Sequence, residues 1–166
     1  MPAEAWAQCP PERLSQVRGL FTDIDDTLTR DGAIEPVALD ALSRLGRAGL
    51  PVIAVTGRPM GWSRPFAREW PVLAIVAENG SVALQRDAAA TDGLKSLFVQ
   101  DEALRLDNRA RLQAVARQIL AEVPGAKLAQ DSPGRVTDIA IDHSEFAHLP
   151  PSDIERVVAL MSKAGM

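Results

Sequence analysis

The segment Phe21-Thr22-Asp23-Ile24-Asp25-Asp26-Thr27-Leu28-Thr29 concentrates groups able to do chemistry. Asp23 and Asp25 stand just past a short apolar run, where a loop freed from strand pleating lets both carboxylates reach one small volume. An aspartate is a competent nucleophile toward phosphorus and forms an acyl phosphate. Its charge repels a phosphate dianion. A Mg²⁺ between the two carboxylates offsets that repulsion, and oxygen ligands suit this hard cation. The second aspartate can protonate a leaving oxygen and then activate water. Thr27, at the following turn, can orient the first by hydrogen bonding. The same Asp-x-Asp spacing also occurs where aspartates merely cap the helix after a strand.

The elements around this segment predict where such groups meet. Arg18-Gly-Leu-Phe-Thr-Asp reads as a strand running into polar residues, after a tail over 1–17 in which Cys-Pro-Pro discourages regular structure. Pro36 suits a first helical turn. Val37, Ala41, Leu42 and Leu45 follow at helical spacing, and Gly49 closes the helix. A second apolar strand from Pro51 ends at Thr56 and Arg58. A short helix over 60–69 and a third strand ending at Glu78 and Asn79 complete the pattern. Strand, helix, strand, helix, strand predicts a parallel α/β sheet. Ligands bind beyond the carboxyl ends of such strands, so the three polar clusters are expected to converge on one crevice.

The pattern changes after residue 84, and 85–166 read as a second, α+β unit. Leu112, Val115, Ala116, Ile119 and Leu120 mark one helix face. Two strands are expected over 126–130 and 135–142, joined by Ser132-Pro-Gly, with Asp138 and Asp142 on the same side. Ser152 and Glu155 read as a capping box for a last helix that buries Ile154, Val157, Val158 and Met161.

Composition narrows the function classes. The chain has 166 residues, 46% hydrophobic and 24% charged, with a net charge of −4. These are globular values, and the acidic balance argues against a nucleic-acid partner. No 18-residue apolar run or secretory signal stands out, so no membrane partner is expected and the cytoplasm is the expected compartment. One cysteine (Cys9) and two histidines (His143 and His148) leave carboxylates as the metal-binding resource. Trp62 and Trp70 flank a helix and read as packing. No Gly-rich P-loop occurs.

Asp23-Ile-Asp25-Asp-Thr27 after a strand, Val55-Thr56-Gly57-Arg58 after the next, and Val76-Ala-Glu78-Asn79-Gly80 after the third resemble the haloacid dehalogenase-like (HAD) hydrolase superfamily, type IIB branch. The resemblance implies a HAD-like Rossmannoid parallel core, 18–84 being its first half, and an inserted α+β type IIB cap, 85–166, both partial. It implies that Asp23 is the nucleophile and a magnesium ligand. Asp25 would be the general acid/base, its carbonyl on the metal, and Asp26 structural. Thr56 and Gly57 would bind phosphoryl oxygens. Arg58 either contacts substrate phosphate or is a solvated loop charge. Asn79 either orients the nucleophile loop or contacts substrate, or simply makes a strand-end turn.

That family also uses a lysine and a late acidic pair. The three lysines, Lys95, Lys127 and Lys163, all lie in the cap-like region, and no Gly-Asp-x-x-Asp segment follows. The chain is therefore expected to be the N-terminal portion of a Mg²⁺-dependent phosphatase acting on a phosphorylated sugar or similar small metabolite through an aspartyl-phosphate. A missing segment would be needed for full activity. Open sheet edges would offer copies of the chain a route to a homo-oligomer. The alternatives are a non-catalytic relative binding a phosphorylated ligand or partner, and a sugar phosphomutase.

Overall fold

The computed structural model describes residues 8–166; the first part of the expected tail, 1–7, lies outside them. Within the rest of that tail, Pro11–Leu14 forms one helical turn, α1, with Pro at its start, where a missing N–H costs nothing. Three apolar runs then form parallel neighbours: β1 (Leu20–Asp23), β4 (Val52–Val55) and β5 (Ala74–Ala77). β1 pairs with β4, and β4 with β5, both parallel. Between β1 and β4 lie a two-stranded ribbon, β2 (Thr29–Arg30) with β3 (Ala33–Ile34), and helix α2 (Pro36–Arg47). Helix α3 (Met60–Glu69) links β4 to β5.

The sheet does not stop at residue 84. β6 (Val82–Arg86) pairs antiparallel with β5, and β7 (Leu94–Phe98) antiparallel with β6. The five-stranded order is β1-β4-β5-β6-β7, with β1 at one edge. The division placed after residue 84 thus falls inside β6. Ile24, Ala54, Ile75 and Leu84 are fully buried in the core of this sheet, with Leu42 from α2 and Ala67 from α3 closing over it. Along α3, Trp62 meets Phe66 at 4.5 Å and Phe66 meets Trp70 at 4.7 Å between ring centres, so the tryptophans are packing residues.

A second core lies beyond the sheet. Helix α4 (Glu102–Glu122) is capped by Asp101, whose side chain accepts from the Leu104 N–H. Val115 and Ile119 from α4 pack with Leu149 and with Val157 of α5 (Pro151–Lys163). Leu120, placed on the apolar face by its spacing, is 41% exposed, and Val158 of α5 is 56% exposed. The expected strands shrink to β8 (Lys127–Leu128) and β9 (Ile141–Asp142), paired antiparallel. Residues 135–139 alternate like a strand but join no ladder, and Ala140 contributes one bond, its carbonyl accepting from the Ala129 N–H. The main-chain N–H groups of Val136 and Thr137 bond a carboxylate instead. The expected capping box is absent: α5 begins at Pro151 with Pro150 as its cap, which places Ser152 inside the helix.

Candidate active site

The loop after β1 is folded around one carbonyl. Ile24, fully buried, accepts at its main-chain oxygen from the N–H groups of Thr27, Leu28 and Thr29 and from the Thr29 hydroxyl. Asp26 takes a left-handed conformation, φ 56°, which an aspartate tolerates better than most residues. The sequence buries Ile24 and leaves its neighbours outside: Asp23 is exposed and Asp25 half-buried. The Thr27 hydroxyl donates to Asp23 Oδ2 at 3.3 Å, as its spacing suggested.

The loop after β4 meets this one. Thr56, 3% exposed, is held to β5 by its N–H on the Val76 carbonyl. Its hydroxyl donates to Asp25 Oδ2 at 3.2 Å and accepts from the Arg58 N–H at 3.0 Å. Arg58 Nε donates to Asp25 Oδ1 at 3.2 Å, and its guanidinium lies 5.5 Å from the centre of the Trp62 ring. Arg58 is thus paired with Asp25 while its side chain stays 44% exposed. Asp25, Thr56 and Arg58 come together directly. Asp23 joins them only along the chain, through Thr27 and the loop.

Asn79 makes no hydrogen bond to the loop after β1. Its Nδ2 donates to Asp138 Oδ2 at 3.0 Å, and its Oδ1 would lie 2.9 Å from a Cβ at Gly57. Glycine at 57 is what allows this approach.

Spacing marks Glu78 as a polar strand end but not what it binds, and it gives no warning of Arg135. Glu78 is 1% exposed and left-handed, φ 47°. Its carboxylate accepts from Met60 N at 2.9 Å, Val136 N at 2.9 Å, Thr137 N at 2.6 Å and the Thr137 hydroxyl. One buried carboxylate thereby holds the start of α3 and residues 136–137 together. The backbones also approach closely nearby, since a Cβ on Gly61 would lie 3.0 Å from Gly134 Cα. Arg135 forms bidentate pairs with Asp131 and Asp138. Burial alone would lower its pKa, but these hydrogen bonds and charges raise it above its ordinary value.

A cavity of about 570 Å³ is lined by Asp25, Gly57 and Arg58 together with Asp131, Arg135 and Phe146. Its rim is shaped by Asp142. Burial would raise that carboxyl, but the N–H groups of Glu145, Phe146, Ala147 and Ser144 outweigh burial and hold it below its ordinary value. Their distances run from 2.9 to 3.2 Å.

Among the described residues no three carboxylate, histidine or cysteine side chains cluster as a metal site. The exposed Asp23 carboxylate and the Asp25 main-chain carbonyl remain as oxygen donors. Such a set fits Mg²⁺, which is commonly held by one or two carboxylates together with water and substrate phosphate. Among the described residues no helix is long and apolar enough to cross a membrane.

Solved structures share this fold. A Thermoplasma acidophilum protein superposes with a TM-score of 0.57 at 19% identity, over 85% of this chain and 55% of its own. The sucrose-phosphatase of Synechocystis, solved with sucrose and phosphate, gives 0.53 at 17% identity, over 90% and 57%. The IMP-nucleotidase of Plasmodium falciparum gives 0.53 at 12% identity, over 91% and 43%. The chain thus spans about half the length of these relatives. A search of curated proteins finds no match. The sequence pattern of the haloacid dehalogenase-like hydrolases matches residues 20–105, more than half of the chain and the segment that carries both loops, so the chain belongs to that family.

Proposed function

We propose that this chain carries the nucleophilic half of a Mg²⁺-dependent phosphatase for small phosphorylated metabolites, with residues beyond the sheet serving as an α+β cap of the type IIB kind. The observation that carries this reading is the meeting of two loops: Asp25 is fixed by the Thr56 hydroxyl and by Arg58, both at 3.2 Å. Exposed Asp23 sits on the same loop with its carboxylate oriented by Thr27.

In this reading an Asp23 oxygen attacks phosphorus as the bond to the leaving oxygen breaks. Asp25 gives that oxygen its proton. Asp25 then takes a proton from water, which attacks the aspartyl-phosphate and frees inorganic phosphate and the Asp23 carboxylate. The Thr56 hydroxyl and the Gly57 loop hold the phosphoryl oxygens. Arg58 turns from Asp25 to the phosphoryl group, which its fork of donors suits. Asp23 and Asp25 would hold Mg²⁺, which when bound supplies charge neutralisation for the phosphoryl oxygens.

Phosphorylated sugars suit the cavity, whose lining offers Gln130, Asp131 and Glu145 to hydroxyl groups and the half-exposed Phe146 ring to a sugar face. A sucrose-phosphatase of the same fold is in keeping with that choice. The second reading, ligand binding without turnover, is favoured by the absence of a third acidic metal ligand among the described residues.

Hydrolysis of p-nitrophenyl phosphate, with and without Mg²⁺, tests both. Turnover that needs Mg²⁺ and vanishes in Asp23→Asn supports the phosphatase. Binding of orthophosphate with no Asp23-dependent turnover supports the second reading.

A further inference from the structure

We propose that Arg135 is a positioning residue for the phosphate-binding loop, acting through the Gly57 peptide; this rests on the phosphatase reading above. The Arg135 side chain is only 9% exposed. Its Nε and Nη2 donate to the two oxygens of Asp131 at 3.2 and 2.9 Å. Its Nη1 donates to Asp138 at 2.8 and 2.9 Å and to the Gly57 carbonyl at 3.2 Å. Asp138 in turn accepts from Asn79 Nδ2 at 3.0 Å. Asn79 Oδ1 lies 2.9 Å from where a Gly57 Cβ would stand, and this packing closes the ring Gly57, Arg135, Asp138, Asn79.

Gly57 is the pivot between the two groups that hold Asp25. The Thr56 hydroxyl and Arg58 Nε both reach that carboxylate, and the Arg58 N–H closes back on Thr56. A rotated Gly57 peptide would shift both donors. The Arg135 fork is filled by two carboxylates and a carbonyl, so its effect passes through main-chain geometry rather than through contact with phosphate. Lysine cannot reproduce it, because a single ammonium lacks the planar fork that spans Asp131, Asp138 and Gly57 together.

Two variants test this on the whole chain, with p-nitrophenyl phosphate as substrate and urea unfolding as the check on folding. Arg135→Lys keeps the charge and removes the fork. Asn79→Gly opens the ring on its exposed side at a residue whose φ of 56° glycine accepts freely. Each is expected to lower kcat by about 10- to 100-fold, with KM changed less than about threefold, as for a small misplacement of reacting groups. The double variant is expected to be no slower than the slower single one, because both break the same ring. Raised KM with unchanged kcat would instead make Arg135 a direct substrate ligand and overturn the proposal. Fully additive losses, or variants as fast as the parent, would overturn it too. If the parent itself shows no Asp23-dependent turnover, the phosphatase reading falls and takes this proposal with it. Active parent and unaffected variants would sink the positioning role alone.

Discussion

Glu78→Gln probes whether a single buried carboxylate joins the sheet to residues 131–138. Glu78 is 1% exposed, so water cannot replace what the substitution removes. Oε1 accepts from Met60 N and Val136 N, each at 2.9 Å, while Oε2 accepts from Thr137 N at 2.6 Å and from the Thr137 hydroxyl. Glutamine keeps one acceptor oxygen and turns the other into an NH₂ that faces donors. At least one main-chain N–H is then left unpaired in the interior, and the remaining bonds lose their charge. A buried unpaired donor costs about 1–3 kcal/mol, and charge-assisted bonds contribute about 1.5–3 kcal/mol each. The expected loss is about 2–4 kcal/mol, a fall in Tm of roughly 4–16 °C for a chain of this size. Urea unfolding of parent and variant measures it. Hydrogen exchange at Val136 and Thr137 locates it, since both amides should lose protection. A variant within about 0.5 kcal/mol of the parent, the range of ordinary surface substitutions, would refute the idea that Glu78 holds this junction.

Three further outcomes concern Asp142, Gly61 and Ile119. The Asp142 pKa is held below its ordinary 3.8, so its carboxylate contributes stability above that value that is lost as pH falls through the lowered folded value. Asp142→Asn should flatten the fall of unfolding free energy below about pH 4, seen in urea titrations at successive pH; an unchanged slope would remove Asp142 from the acid response. Gly61→Ala adds a Cβ 3.0 Å from Gly134 Cα, a backbone contact. Crowding of about 1–3 kcal/mol against about 1 kcal/mol of helix propensity predicts net destabilisation, and a stabilised variant would show that the approach is looser. Ile119→Ala, at a fully buried site in the second core, should cost about 2–5 kcal/mol by calorimetry or urea; a loss under 1 kcal/mol would mean that α4 and α5 do not share one packed core.

The first three strands and the loops at their ends were legible in the sequence, because an apolar run that stops abruptly at polar residues has few other readings. β1, β4 and β5 lie where Leu20, Val52 and Ala74 suggested, and Thr27 reaches Asp23 at the expected turn. Helix α3 was legible too, although Pro65 stands within it. What failed depended on partners distant in the chain. Alternation over 135–142 looks like a strand, but periodicity cannot say that Glu78 will take the N–H groups of Val136 and Thr137. The run Val82–Arg86 carried no mark telling whether it extends the first sheet or opens a second unit; its pairing with β5 decides that. Ser152 and Glu155 have capping-box spacing, yet Pro150 and Pro151 start the helix two residues earlier. Asn79 was singled out, but its partners Asp138 and Gly57 lie far from it in sequence.

Asp23 and Glu78 show why residue type at a strand end does not by itself assign a role. Both are carboxylates directly at or after the last residue of a parallel strand. Glu78 is enclosed and saturated by donors from two separate segments, so its charge is spent on holding them. Asp23 is exposed, and its carboxylate receives one side-chain bond, from Thr27. The nucleophile role proposed above needs a free lone pair, and of these two carboxylates Asp23 is the one that keeps it. Asp25 stands between these extremes: it is half-buried, and its two partners come from the single loop that Gly57 pivots. Both of those partners flank Gly57, so the setting of one peptide governs the surroundings of Asp25, whereas Glu78 answers to donors from two segments far apart in the chain.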